Sequence, residues 1–237
     1  TSDEFVEAFE NKDAYLHARK RIDDNPWQGQ PVAIIDIDDV LAEFRNGFAS
    51  WLSEVKDIHP DTSSTEYYFI NALRDSGENP EKIFDDFIKD DGFLKLEKED
   101  GVLWLMQTLK KMGYWIHLLT ARPEEDLACF YATYQWLDIN EVPYDDLSFS
   151  NEKFRWCAQS KYYDSNSIEF AVDDSPKHAS EYARHGIFVN VPIKSYNKHI
   201  SHKNIKSIIM QVVGNEKINI NNKEYQCTVL EAFDKSI

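Results

Sequence analysis

Apolar residues along the chain alternate between the pattern of buried strands and the pattern of helices. The segment at 32–36 is a largely apolar run rich in β-branched residues, and such a run indicates a strand that is buried on both faces of a parallel sheet. A second buried strand is predicted at 114–119, and further strands are predicted at 146–150, 168–172 and 187–191. Stretches with apolar residues at helical spacing occur at 43–56, 102–112, 123–137, 152–162 and 178–185. These repeated β-α-β units predict an α/β fold with helices on both faces of the sheet.

The segment between the first two predicted strands is long and rich in aromatic residues. Beyond its first helix, two further helices are predicted at 65–75 and 80–89. Residues 43–97 are therefore expected to form a small helical insert in a Rossmann-like parallel sheet. The core of the domain would then comprise residues 1–42 and 98–200.

Both ends of the chain depart from this alternation. Residues 3–22 have the apolar spacing of a helix that would precede the first strand. After the last predicted strand, the spacing predicts a helix at 201–213. Two β-rich runs joined at Asn221-Asn222 then predict a hairpin. Residues 201–237 are thus expected to form a C-terminal helix and hairpin, which could cover a sheet edge or make a contact in a homodimer.

The composition of the chain narrows the range of its partners. The chain has 237 residues, a length that suits one α/β domain with an inserted subdomain, and a formal net charge of −16. A surface this acidic repels long nucleic acids, although a local site can still hold a small phosphorylated substrate. No apolar run approaches the ~20 residues that span a bilayer, so no membrane partner is expected. The acidic N-terminal segment does not resemble a signal peptide.

The cysteines point to a reducing environment. The chain has three cysteines, which is an odd number, and no two of them form a CxxC pair: Cys129, Cys157 and Cys227. This pattern argues against a disulfide scaffold and against a zinc-finger site. A cytoplasmic location is the simplest interpretation, and the two cysteines in predicted helices, Cys129 and Cys157, are expected to be buried and inert.

Polar residues come directly after four of the predicted strands, at the points where the strands end. These segments are Asp36-Ile37-Asp38-Asp39, Thr120-Ala121-Arg122, Asn151-Glu152-Lys153 and Asp173-Asp174-Ser175. In an open parallel sheet, ligands bind at the carboxyl ends of the strands, so these side chains are expected to converge. Several carboxylates, two hydroxyls and two cations in one place are difficult to explain by packing alone.

The carboxylates of this group are suited to a hard metal ion. Oxygen ligands favour Mg²⁺ over zinc, and Mg²⁺ is commonly held by a few carboxylates and a substrate phosphate. Asp36 and Asp38 are two positions apart on an extended chain, so their side chains can point to the same side. One could attack phosphorus while the other handles the proton of the leaving group. Lys153 could hold phosphoryl oxygens, and Thr120, just before a helix N-terminus, is placed to bind phosphate.

The segments DIDDVLAEF, LLTARP, SNEK and AVDDSP, each after a predicted strand, resemble the four motifs of the haloacid dehalogenase (HAD) superfamily of phosphatases. The resemblance covers about residues 32–192. It implies that Asp36 is the nucleophile and that Asp38 is the general acid/base. It also implies that phosphate is bound by Thr120-Ala121 and by the lysine of the third motif, Lys153, although Lys161 lies in the same predicted helix.

The same resemblance implies a magnesium site. Asp36, Asp173 and Asp174 match the acidic residues that hold the ion in this superfamily, and the backbone carbonyl of Asp38 completes the set. One position departs from the family pattern. A glycine often comes after the second aspartate of the first motif, whereas this chain has Asp39, which could lie beside the site.

The insert occupies the position of the cap that selects the substrate in this superfamily. The combination of a small helical cap with the first and fourth motifs of this chain is similar to that of 5′(3′)-deoxyribonucleotidases. This resemblance implies that the substrate is a nucleoside monophosphate. Tyr68 and Arg122 are candidate substrate contacts, although Arg122 could instead be a surface ion-pair partner. The aromatic residues of the insert could stack on a base or could form its core: Trp51, Tyr67, Tyr68, Phe69 and Phe84.

Two other functions remain open at this stage. A phosphatase of sugar phosphates or of nucleic-acid 3′ ends would use the same motifs. A catalytically silent protein with this fold would serve for binding only. The complete motif set favours a magnesium-dependent phosphatase that acts through an aspartyl-phosphate.

Overall fold

A six-stranded parallel sheet forms the centre of the structure, a computed structural model that describes residues 12–66, 69–208, 212–220 and 223–230. Its strands are β1 (Val32–Ile35), β2 (Trp115–Thr120), β3 (Asp146–Phe149), β4 (Ile168–Val172), β5 (Phe188–Pro192) and β6 (Ile205–Ile208). The strand order is β3-β2-β1-β4-β5-β6, and all neighbours are parallel. This order is that of the doubly wound Rossmann-like fold, whose direction of winding reverses beside β1. The predicted α/β fold is confirmed.

Helices flank the sheet and fill the segment between β1 and β2. They are α1 (Lys12–Asp24), α2 (Phe44–Val55), α3 (Ile70–Asp75), α4 (Pro80–Lys89), α5 (Val102–Lys111), α6 (Leu127–Ile139), α7 (Lys153–Ala158) and α8 (Pro176–Arg184). Helix α6 begins later than predicted because Asp126 is its N-cap, and the Asp126 side chain accepts a hydrogen bond from the backbone N–H of Cys129. Among the described helices, none combines the length and the apolar character that crossing a bilayer requires.

Strands β1 and β2 are buried at every position, as predicted, whereas β4 and β5 each have one exposed position and β6 is half-buried. In β1, Ala33 and Ile35 join a large core with α5, α6 and the insert, whereas Val32 and Ile34 join a second core with α8. Successive side chains of a strand point to opposite faces, so one short run of β1 anchors both layers. The core of the insert is continuous with the first of these clusters.

The prediction of a helix at 201–213 is wrong. Residues Ile205–Ile208 form strand β6, which pairs in parallel with β5 from Val189 opposite Ile205 to Pro192 opposite Ile208. Apolar residues three apart, such as Ile205 and Ile208, fit a helix by spacing, but isoleucine also favours strands. The open edge of β5 offers unpaired backbone groups, and pairing with them decides the outcome.

The predicted hairpin is confirmed for the strands that the structure describes. Strand β7 (Val212–Ile220) pairs antiparallel with β8 (Lys223–Leu230). The predicted turn at Asn221-Asn222 lies outside the described residues. At the other end of the chain, the predicted helix is present from Lys12, and its earlier part also lies outside them.

The two cysteines of the predicted helices are buried, as expected. Burial raises the pKa of the Cys129 thiol to about 12 and that of the Cys157 thiol to about 11. Both thiols therefore stay protonated and unreactive at neutral pH. The side chain of Cys227 lies outside the described part of the chain.

Candidate active site

The carboxyl ends of β1 and β4 bring together Asp36, Asp173 and Asp174, here called the aspartate cluster. One carboxylate oxygen from each residue lies within 4.8 Å of the others. The two strands are neighbours in the sheet, and the backbone N–H of Asp36 donates to the Val172 carbonyl oxygen at 2.9 Å. All three side chains are buried. The convergence predicted from the strand ends is therefore present at the point where the winding of the sheet reverses.

Lys153 is the cation that contacts the aspartate cluster among the described residues. Its Nζ lies 2.6 Å from Asp36 Oδ2 and 2.9 Å from Asp173 Oδ2, and Lys153 is 1% exposed. Lys153 is the first residue of helix α7, which follows β3, so the carboxyl end of this strand places it next to the cluster. Lys161 is exposed and lies after the end of that helix. The structure thus places Lys153, and not Lys161, beside the predicted nucleophile.

The aspartate cluster carries more negative charge than Lys153 compensates. Burial raises the pKa of Asp36 to about 7, against the attraction of Lys153 and with added repulsion from Asp173. Burial, together with repulsion from Asp36, raises the pKa of Asp174 well above its usual value. Asp174 Oδ1 is buried without a hydrogen-bond partner among the described residues. A buried carboxylate without enough positive charge nearby is costly, so the cluster is suited to a further cation.

The donor set of the cluster fits Mg²⁺. Asp36, Asp173 and Asp174 offer only oxygen atoms, which hard divalent cations prefer, and Asp174 Oδ1 is available for coordination. The Asp38 side chain is not part of this group, because its carboxylate turns to Arg122. The resemblance assigns to Asp38 a contact through its backbone carbonyl, and that contact stays a prediction.

Arg122 holds the Asp38 carboxylate by a two-pronged ion pair. Arg122 Nη2 donates to Asp38 Oδ1 at 2.7 Å, and Nε donates to Oδ2 at 3.0 Å. The guanidinium is itself fixed, since Nη1 donates to Thr133 Oγ1 and its central carbon lies 4.2 Å from the centre of the Phe93 ring. Arg122 is buried, whereas the Asp38 side chain is 22% exposed. These contacts favour the ion-pair interpretation of Arg122 over direct substrate contact.

Thr120 and Ala121 lie at the end of β2 beside this pair. Thr120 is fully buried, and its Oγ1 accepts a hydrogen bond from the backbone N–H of Arg122 at 3.2 Å. This bond shapes the turn that brings Arg122 to Asp38. Ala121 lines the adjacent cavity. Phosphate binding by either residue stays a prediction.

Asp39, the departure from the family pattern, adopts the backbone conformation that a glycine would favour. Its φ is +55°, in the left-handed region that aspartate tolerates better than most residues. The Asp39 carboxylate accepts hydrogen bonds from the Arg45 backbone N–H and, at 2.9 Å, from the Tyr196 hydroxyl. The same hydroxyl contacts Asp174 Oδ2, so Asp39 is linked to the aspartate cluster.

Tyr196 is a residue of the site that the sequence patterns did not single out. It lies in the loop after β5, which is the neighbour of β4 in the sheet. No motif marks this loop. The other site residues were found because they lie just beyond the ends of strands, and the same criterion applied to the fifth strand would have found Tyr196.

A cavity of about 1060 Å³ opens between the strand ends and the insert. Asp36, Asp38, Ala121 and Arg122 lie on the strand side of the cavity. Apolar side chains line the other side: Phe44, Phe48, Ile70, Leu73, Phe84 and Phe93. This space, here called the cleft, is of the size that small-molecule sites have, and a substrate in it would reach Asp36.

The aromatic residues of the insert serve mainly as its core. Phe69 is 2% exposed, and the Trp51 ring packs on Phe48 and Phe87. Phe84 is half-buried and lines the cleft, so among the described members of the predicted set it is the one placed to meet a substrate. Tyr67 and Tyr68 lie outside the described residues, and the substrate contact of Tyr68 stays a prediction.

Solved structures share this fold at low sequence identity. A predicted phosphatase from Clostridium acetobutylicum has a TM-score of 0.52 at 13% identity, over 72% of this chain and 88% of that chain. A putative HAD-hydrolase from Bacillus subtilis, in a structure bound to magnesium, has a TM-score of 0.51 at 13% identity, over 69% and 88%. No protein-family model and no curated protein matches the chain. These comparisons show that the chain shares its fold with these two solved structures.

Adding Mg²⁺ should raise the Tm of the protein by several degrees. The ion would offset the excess negative charge of the cluster, and a ligand at about 100 times its Kd adds about 2.7 kcal/mol to the free energy of unfolding. The change is measured by thermal unfolding in Mg²⁺ and in EDTA. Asp174→Asn should lose most of the shift, whereas Asp75→Asn, at an exposed position of α3, should keep it. An equal response of both variants would refute this metal site.

Proposed function

We propose that this chain is a magnesium-dependent phosphomonoester hydrolase that uses Asp36 as its nucleophile. The observation that carries this proposal is the position of Asp36, which faces the cleft and lies 2.6 Å from Lys153 Nζ beside two further buried carboxylates. A nucleophile next to a phosphate-binding cation and a candidate metal site is the arrangement that phosphoryl transfer requires. The fold shared with a predicted phosphatase is consistent with this activity.

The first chemical step is an in-line attack of the Asp36 carboxylate on phosphorus. It forms an aspartyl-phosphate and releases the alcohol of the substrate. Lys153 stabilises the negative charge of the phosphoryl oxygens, and its contact with Asp36 holds the attacking carboxylate in place. Asp36, Asp173 and Asp174 would hold Mg²⁺, which would supply further positive charge for these oxygens.

Asp38 is proposed as the general acid and base of the reaction. It gives a proton to the leaving oxygen and then takes a proton from the water that hydrolyses the aspartyl-phosphate. Its carboxylate borders the cleft and is partly exposed there, while Arg122 fixes its orientation from the buried side. We therefore assign to Arg122 the role of a positioning residue.

Arg122→Lys should lower kcat by about 10- to 100-fold with little change in KM. Lysine keeps the charge but cannot form the two-pronged contact, so the Asp38 carboxylate loses its fixed orientation, and small misplacements of catalytic groups have effects of this size. Steady-state kinetics and a Tm measurement test this. Arg155→Lys is the matched control, because Arg155 is an exposed arginine paired with Glu152. A folded Arg122→Lys variant with normal kcat would exclude this role.

The substrate that we propose is a nucleoside or deoxynucleoside monophosphate. The apolar wall of the cleft, with the half-buried Phe84, gives a planar base a surface on which to pack. The cleft has space for a small phosphorylated molecule beside Asp36. The resemblance of the motifs to those of deoxyribonucleotidases supports the same substrate class.

A phosphate-release screen over mononucleotides and sugar phosphates, in Mg²⁺ and in EDTA, tests this function. We expect release in Mg²⁺ that EDTA abolishes, with mononucleotides preferred. A preference for sugar phosphates or for 3′-phosphorylated oligonucleotides would overturn the substrate class. The absence of any release by the folded protein would overturn the activity and support a binding protein instead.

A further inference from the structure

The outer part of the cleft carries carboxylates from two separate elements. Glu81 and Asp85 belong to helix α4 of the insert, and Glu124 and Glu125 belong to the loop between β2 and α6. All four side chains line the cleft and are exposed. None of them takes part in an ion pair within the described residues. Their negative charge is therefore available to act on a substrate.

Positive charge in the cleft is scarce and mostly engaged. Among the described residues, the basic side chains that line the cleft are Arg122, Lys177 and the buried His178. Arg122 is bound to Asp38 and Thr133, and Lys177 Nζ donates to the Asn151 carbonyl oxygen at 3.0 Å. Lys153 lies beneath the cleft, held by the aspartate cluster. The described lining of the cleft away from the phosphoryl position thus has more carboxylates than free basic side chains.

The same face of α4 also provides apolar surface. Glu81, Phe84, Asp85 and Ile88 have the spacing that places residues on one side of a helix, and all four line the cleft. A leaving group that lies along this face meets apolar side chains and carboxylates together. Aromatic faces attract cations and give no favourable contact to anions. Charge and packing on this face therefore favour the same kind of leaving group.

We infer that the site selects phosphomonoesters whose leaving group has an apolar body and carries no negative charge, and that it favours a positive one. This inference rests on the proposed function, because it concerns the part of the substrate beyond the phosphate that Asp36 attacks. A second phosphate or a carboxylate along α4 would face Glu81 and Asp85, and the described lining there offers no basic side chain to pair with it. Clefts lined by charge of one sign raise the local concentration of the opposite sign and exclude their own.

The test compares kcat/KM for substrates that differ in the charge of the leaving group. A nucleoside 5′-monophosphate is compared with the corresponding 3′,5′-bisphosphate, and phosphocholine serves as a substrate with a cationic leaving group. We expect the monophosphate to exceed the bisphosphate by at least about tenfold at low ionic strength. The gap should narrow as salt is added, because salt screens exposed charges.

A double variant connects this preference to α4. In the variant Glu81→Gln with Asp85→Asn, kcat/KM for the bisphosphate relative to the monophosphate should rise by about three- to tenfold. In the same variant, kcat/KM for phosphocholine relative to the monophosphate should fall. The matched control is Glu54→Gln with Asp75→Asn, which removes the same charges from exposed insert positions that do not line the cleft. The control should leave both ratios unchanged.

The possible results separate this inference from the function on which it rests. Equal kcat/KM values for the monophosphate and the bisphosphate would overturn the charge selection. So would a double variant whose kcat/KM ratios match those of the control. In both cases the phosphatase activity itself would stand. If the wild-type protein releases phosphate from no substrate, the activity itself fails, and the charge selection fails with it.

Discussion

Asp36→Asn should reduce kcat for phosphomonoester hydrolysis by at least about a thousandfold, because an amide of the same shape cannot attack phosphorus. The fold should persist. Asp36 is buried among other carboxylates, and burial raises its pKa, so a neutral side chain there removes charge repulsion. Lys153 loses one partner but keeps Asp173 at 2.9 Å. We therefore expect a Tm close to that of the wild type, measured beside the rate of phosphate release.

The control for this variant is Asp75→Asn, the same chemical change at an exposed position of α3. It should retain wild-type activity and stability. If Asp36→Asn releases phosphate at a near-normal rate, the assignment of the nucleophile is wrong. If Asp36→Asn unfolds, the inactive variant carries no information about chemistry, and the circular dichroism spectrum distinguishes that case from a folded, inactive protein.

Lys153→Met should cause a large loss of stability as well as of activity. Methionine fits the buried volume but leaves the aspartate cluster without the cation that contacts it among the described residues. Breaking a buried ion pair by removing one partner costs about 3–5 kcal/mol. Chemical denaturation in EDTA measures this change without a contribution from bound metal. Activity should fall too, because the phosphoryl oxygens lose a hydrogen-bond donor.

Lys161→Met is the matched control for the lysine variant. Lys161 is exposed and lies outside the aspartate cluster, so its replacement should change the free energy of unfolding by no more than about 0.5 kcal/mol. Equal stabilities of the two variants would contradict the assignment of Lys153. A loss of activity in Lys161→Met alone would transfer the phosphate-binding role to Lys161.

Much of the fold can be predicted from local patterns in the sequence. The run at Val32–Ile35 is apolar at every position, and each face of β1 joins a different core. Strand β6 was misjudged because Ile205 and Ile208 have the spacing of a helix, although isoleucine also favours strands. The choice between them depends on the open edge of β5, which is a property of the assembled sheet. Local spacing contains no information about that partner.

The candidate site could be predicted as far as the backbone determines it. Parallel strands end at one edge of a sheet, so Asp36 and Asp173 had to lie close together once the strands were known. Which side chains contact each other depends also on how the side chains from different strands are oriented, and local patterns in the sequence do not give that orientation. The sequence therefore left open whether Arg122 contacts the substrate or forms an ion pair at the surface. In the structure Arg122 is buried and forms its ion pair with Asp38. Tyr196 was missed because its loop carries no motif.

The stereochemical course at phosphorus tests the central claim, nucleophilic attack by Asp36, most directly. The substrate is a phosphorothioate monoester made chiral with oxygen isotopes and hydrolysed in isotopically labelled water. Attack by Asp36 and then attack of water on the aspartyl-phosphate give two in-line displacements, so we predict net retention of configuration. Net inversion would mean that water attacks the substrate directly, and it would contradict the role of Asp36 as nucleophile.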